Sequence, residues 1–126
     1  ERDAFLVGRC WHIPHRLDEV SMDLGAKDFV GRHDFASFMA AGSDIKDTVR
    51  TVTAASVVRE GDTVVFRVSA DGFLYNMVRI MTGTLVRIGE GKAPAEGVPE
   101  IIAALDRRAA GVTAPAEGLF LNKVVY

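Results

Sequence analysis

The sequence has few of the residues that build the commonest catalytic and metal-binding sites. Its single cysteine, Cys10, cannot form a disulfide within the chain, and no Cys or His cluster has the spacing of a zinc site. A phosphate-binding glycine loop, a nucleophile elbow and a dinucleotide fingerprint are all missing. The histidines, His12, His15 and His33, are dispersed, so we expect each to be a surface or satisfied core side chain.

Long hydrophobic runs and a strong charge of one sign are missing as well. No apolar run approaches the roughly 18 residues that a membrane-spanning helix needs, and no signal segment opens the chain. The formal net charge of -2 argues against a general polyanion binder, although an acidic protein can carry one basic face. We therefore expect a cytoplasmic protein with no membrane partner. Because the chain opens at Glu1 without methionine, we also expect it to be a piece of a longer protein.

The 126 residues, 48% of them hydrophobic, suffice for a single domain with a real core, which we assign to residues 1–126. The pattern predicts a helix over residues 18–30, with Val20, Leu24 and either Ala26 or Lys27 on its apolar face and Gly31 as its C-cap. Phe35 and Phe38 then suit one short helical turn, with Asp34 as its N-cap.

Alternating Thr- and Val-rich segments predict a β-hairpin over residues 48–59 and 63–70, because every second residue of the latter is apolar. A helix over residues 98–108 and a closing strand from Leu119 follow. The expected fold is therefore α+β: an antiparallel sheet, made of the hairpin plus a C-terminal return strand, with helices packed on one face. This arrangement resembles half of a ferredoxin-like unit.

The segment FLYNMVRIMTG, residues 73–83, begins an amphipathic helix predicted over residues 74–89. Arg79 is the one charged residue of this segment, and it shares a helix face with Asn76 and Gly83. Composition alone favours a solvated surface arginine. The alternative is a guanidinium fixed on a rigid helix and paired with a carboxylate or phosphate. Gly83, one turn beyond, would let another backbone or a ligand approach closely.

Three sequence blocks carry a family resemblance. They are LDEVSMDLGAKDFVGRHDFASFMAAGS (17–43), ADGFLYNMVRIMTGTLVRIGEGK (70–92) and DRRAAGVTAPAEGLFLNKVVY (106–126). Together they resemble the C-terminal domain of the TruA-type bacterial tRNA pseudouridine synthases. The resemblance implies two related α/β halves around a basic cleft, usually in a homodimer. It also implies isomerisation of uridine to pseudouridine in the tRNA anticodon stem-loop, without a cofactor.

The resemblance also implies site residues. Arg79 matches the family arginine that forms a salt bridge with the catalytic aspartate, and Leu119 matches the apolar residue against which the target uracil packs. Thr113, Ala114 and Pro115 would shape the loop beside Leu119. The alternative for Leu119 is a core strand residue. We expect Arg50 to face the RNA cleft, whereas Arg108 and Lys123 are weaker phosphate candidates.

The family nucleophile is an aspartate in a motif that this chain does not contain. The aspartates from Asp18 to Asp106 all lie outside such a motif, so we assign none of them as nucleophile. The chain therefore resembles half an enzyme, and we expect it to be inactive alone. A second hypothesis, from another class, is a stand-alone RNA-binding or dimerisation module without catalytic activity.

Overall fold

The computed structural model describes residues 7–13, 17–40, 45–61, 63–113 and 119–124. Five antiparallel strands form one sheet in the order β2-β3-β4-β1-β5. They are β1 (Val7–Ile13), β2 (Gly31–Asp34), β3 (Val49–Glu60), β4 (Thr63–Ala70) and β5 (Leu119–Val124). The helices are α1 (Glu19–Lys27), α2 (Met77–Gly89) and α3 (Val98–Ala104). The expected α+β fold with helices packed on an antiparallel sheet is confirmed.

The β3–β4 hairpin is the best-predicted part of the sheet. Glu60 pairs with Thr63, and Gly61, at φ +64°, makes the turn between the strands. One face of β4 lies in the main hydrophobic core and comprises Val64, Phe66, Val68 and Ala70. Helix α2 adds most of its apolar residues to the same core: Met77, Val78, Ile80, Met81, Leu85 and Ile88. The hairpin and α2 therefore share one core.

The predicted apolar face of α1 is wrong. Val20 and Leu24 are 65% and 60% exposed, whereas Met22 and Ala26 are fully buried. The reason is close packing on α2: a Cβ added at Gly25 would lie 3.0 Å from Ile88 Cδ1. Of the predicted apolar positions, Ala26 alone is confirmed; it faces the core together with Met22 and Gly25, because the two small residues allow the helix to approach α2 closely.

The predicted end of α1 is wrong as well. The helix stops at Lys27 with Asp28 as its C-cap, and Gly31, at φ +117°, opens β2 instead of capping the helix. Strands β1 and β2 were not predicted, since both are short and pair with distant segments. The short turn is confirmed as a 3₁₀ turn over Ala36–Phe38, where Asp34 Oδ1 accepts a hydrogen bond from the Ala36 N–H.

Helix α3 is shorter than predicted. It ends at Ala104, and Leu105 follows in the left-handed conformation at φ 50° with 55% of its surface exposed. Asp106 then caps a separate 3₁₀ turn, Arg107–Ala109, by accepting a hydrogen bond from the Arg108 N–H. This reversal sends the chain from α3 back towards α2.

We predict that the two sides of α1 differ sharply in their contribution to stability. Met22→Ala should lower the free energy of unfolding by about 2–5 kcal/mol, because it removes a fully buried side chain. Leu24→Ala, on the exposed side of the same helix, should change it by less than about 0.5 kcal/mol. Urea unfolding of both variants measures the difference. Equal losses in the two variants would contradict the observed orientation of α1.

Candidate functional site

Arg79 lies in the first turn of α2, on a helix that the core holds firmly. Its sequence neighbours Val78 and Ile80 are buried, whereas Arg79 itself is half-buried. The hydroxyl groups of Thr82 and Thr84 on the same helix are also buried, and both donate to main-chain carbonyls one turn earlier. The arginine therefore stands on a rigid support at the edge of the core, not on a freely solvated surface.

The guanidinium of Arg79 contacts the residue just before the helix. Its Nη1 donates to Asn76 Oδ1 at 3.2 Å. The acceptor is a neutral carboxamide, so this hydrogen bond orients the guanidinium without cancelling its positive charge. Helix α2 begins at Met77, not at residue 74 as predicted, so Asn76 lies just before the helix and not on its face. The two side chains are nevertheless in direct contact.

The space at Gly83 is filled by the chain's own backbone. A Cβ added there would lie 1.7 Å from the carbonyl oxygen of Val112, well inside contact distance. The sequence predicted a close approach at Gly83, and another backbone does approach. Residues 111–113 of the same chain cross α2 at this point, so no space is left there for a ligand or another partner.

Three polar contacts fasten this crossing segment to the helix and to the preceding turn. The Gly111 N–H donates to Thr84 Oγ1 at 2.8 Å, which completes the bonding of a buried threonine hydroxyl. Arg107 donates to the Gly111 carbonyl at 2.8 Å and to Thr113 Oγ1 at 3.1 Å. Thr84 and Arg107 thereby fix the segment that leads towards β5. The sequence analysis did not identify Thr84 or Arg107 as residues that hold this segment. The one available signal was that Thr84 directly follows Gly83.

The Asp106–Arg108 pair steadies the turn that precedes this segment. Arg108 Nη2 contacts Asp106 Oδ2 at 3.0 Å. The side-chain hydrogen bond from Arg108 lowers the pKa of Asp106, and the same bond raises the pKa of Arg108. Both groups therefore stay charged at neutral pH. The side chain of Arg108 is 91% exposed, so this surface pair is weak and a phosphate contact by Arg108 stays a prediction.

Arg50 lies near the segment that leads into α2. Its Nη1 donates to the carbonyls of Asp47 and Val49 at 2.9 and 2.7 Å. A Cβ added at Gly72 would lie 3.7 Å from Arg50 Nε, so the side chain passes close to the 71–74 segment. The structure thus brings Arg50 next to the chain that enters α2, and its role towards RNA stays a prediction.

Leu119 opens β5, the edge strand, where its Cα pairs with that of Trp11 on β1. Ala114 and Pro115, which the sequence assigned to the neighbouring loop, lie outside the described residues. Thr113, the last described residue before that loop, is held by Arg107. The base-platform role of Leu119 stays a prediction.

His33 has a structural role. His33 Nε2 lies 3.0 Å from the Val30 carbonyl, and its ring packs edge-on against Phe35. Within residues 7–13, 17–40, 45–61, 63–113 and 119–124, no group of three or more His, Cys, Asp or Glu side chains is placed to hold a metal ion. In the same residues, no helix combines the length and apolar character needed to cross a membrane.

Comparisons with known proteins give a consistent result. A family model described as tRNA pseudouridine synthase matches residues 26–126. A protein from Acetivibrio thermocellus called tRNA pseudouridine synthase A is 50% identical over 123 residues, which is 98% of this chain and 50% of that protein. Proteins of the same name from Moorella thermoacetica and Halalkalibacterium halodurans are 48% and 46% identical to this chain. Each match includes 98% of this chain, and it includes 50% of the Moorella protein and 47% of the Halalkalibacterium protein. The chain spans about half the length of these curated relatives.

We predict that Gly83→Ala displaces the 111–113 segment. The methyl group cannot share space with the Val112 carbonyl, so the variant should lose about 1–3 kcal/mol of stability despite the helix preference of alanine. The hydrogen exchange of the Gly111 amide should also speed up, since its bond to Thr84 is broken. Gly72→Ala is the control, because its nearest neighbour would lie 3.7 Å away. Unchanged Gly111 exchange in Gly83→Ala would contradict the observed crossing.

Proposed function

Because the chain belongs to the tRNA pseudouridine synthase family, we propose that it is the C-terminal half of an enzyme that converts uridine to pseudouridine in the tRNA anticodon stem-loop. The nucleophilic aspartate belongs to the other half of that enzyme. The length of the matched relatives, twice that of this chain, supports the division into halves. The proposed substrate is tRNA, and the proposed assembly is a cytoplasmic homodimer.

The observation that carries this proposal is the setting of Arg79. Its guanidinium stands half-buried at the first turn of a rigid helix and is oriented by a neutral oxygen of Asn76. A planar guanidinium in such a position is suited to hold a carboxylate through two parallel hydrogen bonds. We assign Arg79 as the partner of the catalytic aspartate, whose pKa it lowers and whose direction of attack it fixes.

The proposed reaction balances without a cofactor. The aspartate assists cleavage of the bond between N1 of the uracil and the ribose C1′, the base turns, and C5 forms the new bond to C1′. The proton on C5 leaves and N1 gains a proton, so the product is an isomer of the substrate. In this scheme Leu119 packs against the uracil as an apolar platform, as suits a base taken out of its stack. Arg50 contacts the RNA backbone beside the same cleft.

We predict that the isolated chain forms no pseudouridine. Its described aspartates serve local structure: Asp23, for example, accepts hydrogen bonds from Lys27 and from the Val57 N–H. Tritium release from tRNA labelled at C5 of uridine measures the activity. The full-length natural protein that contains this chain is the positive control. Turnover by the isolated chain equal to that of the full-length protein would contradict the absence of the nucleophile.

We further predict that Arg79→Met in the full-length protein lowers kcat by about 100-fold or more, because the carboxylate loses its orientation. Without the arginine, the pKa of that carboxylate rises by about 1–3 units. The loss should therefore be greater at pH 5 than at pH 7, since an aspartate whose pKa returns to its ordinary value of about 4 is partly protonated only at the lower pH. Tritium release across this pH range measures both effects.

The matched control is Arg87→Met, the same substitution on an exposed arginine two turns further along α2. It should keep kcat within about twofold of the natural protein, because surface substitutions have small effects. Equal activity of Arg79→Met and Arg87→Met would favour the alternative of a non-catalytic RNA-binding or dimerisation module.

A further inference from the structure

Asn76, just before α2, has an unusual backbone conformation. Its φ and ψ are 61° and 11°, in the left-handed region. Among the described residues, only Leu105 is another non-glycine residue at positive φ. This conformation is unfavourable for most L-amino acids, and asparagine is one of the few residues that adopt it readily. A strained position of this kind next to a candidate functional side chain calls for an explanation.

Helix capping does not explain this asparagine. An N-cap asparagine normally accepts a hydrogen bond from a main-chain N–H in the first helical turn, but Asn76 makes no such side-chain bond. Its Oδ1 instead accepts the hydrogen bond from Arg79 Nη1 at 3.2 Å. The side chain that could have capped α2 is directed at the arginine.

Contacts on both sides hold the backbone of this residue in place. Leu74 is buried and its N–H lies 3.4 Å from Met77 Sδ, while the Tyr75 carbonyl accepts a hydrogen bond from the Ala40 N–H. Met77, immediately after, is fully buried. The chain must turn sharply between two buried residues, and the left-handed conformation at Asn76 makes that turn and presents its carboxamide to Arg79.

We propose that Asn76 is a positioning residue that orients the guanidinium of Arg79 towards the catalytic carboxylate. This inference rests on the proposed function. A flexible arginine side chain loses rotamer entropy when it is fixed in one orientation. The hydrogen bond that Arg79 donates to Asn76, a residue whose own backbone is held in place, reduces the entropy that the arginine side chain still has to lose when the carboxylate binds. Because the carboxamide is neutral, it does not compete with the aspartate for the arginine.

The test uses Asn76→Gly in the full-length protein. Glycine accepts the left-handed backbone freely, so the variant removes the carboxamide and preserves the turn. We expect kcat for pseudouridine formation to fall about tenfold, the rate equivalent of one hydrogen bond to a charged group, with KM for tRNA unchanged. Leu105→Gly is the matched control. It places glycine at the other left-handed position, which is exposed and lies directly after α3. It should keep the natural kcat.

A second variant distinguishes positioning from a purely structural role. Histidine also tolerates the left-handed region, and its Nδ1 takes the place of the asparagine Oδ1 as an acceptor while the ring is neutral. Asn76→His should therefore approach the natural kcat at pH 8. Because the neighbouring guanidinium of Arg79 lowers the pKa of that ring, the loss of activity relative to the natural protein should appear only as the pH falls below 6, where the ring becomes protonated and can no longer accept.

The outcomes are separable. Natural kcat in Asn76→Gly, or equal losses in Asn76→Gly and Leu105→Gly, would overturn the positioning role. The same pH profile for Asn76→His as for the natural protein would also overturn it. If the natural full-length protein itself forms no pseudouridine, the proposed function fails instead. Thermal unfolding of each variant checks that the fold is retained, and Asn76→His provides the test should Asn76→Gly fail to fold.

Discussion

The crossing of residues 111–113 over helix α2 is the constraint on which the arrangement of the candidate site depends. The carbonyl of Val112 lies where a side chain at Gly83 would begin, so the helix must have glycine at that position. Thr84 and Arg107 satisfy the polar groups of the crossing backbone. The crossing therefore fixes where residues 111–113 lie on the helix that carries Arg79, whereas pairing with β1 positions the last strand, β5.

Helix α2 contributes to the structure in three ways. Its apolar stripe fills the core beneath the β3–β4 hairpin, and its middle turn receives the crossing backbone. Its first turn presents a half-buried arginine held by Asn76. The burial that stabilises the fold also makes the helix rigid, and rigidity is what a charged group needs if it is to orient a carboxylate from another part of a protein.

The parts of the fold that sequence patterns predicted well are those with strong local periodicity. The hairpin and α2 are such elements, since alternation and helical spacing each mark one buried face. The apolar face of α1 was mispredicted because Val20 and Leu24 look like core residues, whereas close packing on α2 favours Gly25 and Ala26. Strands β1 and β2 were missed because they are defined by pairing with distant partners. The end of α3 was misplaced because a left-handed leucine carries no clear stop signal.

The sequence by itself determined the family, through three blocks whose combination is specific, and it singled out Arg79, Leu119 and Arg50 as candidate site residues. Only the tertiary structure decided what surrounds Arg79. The hydrogen bond between Thr84 and Gly111 joins residues 27 apart in the chain, and no local period encodes such a contact. The carboxamide of Asn76 meets Arg79 because buried neighbours force its backbone into the left-handed region. Residue types identify candidates for chemistry, but packing decides which groups orient them.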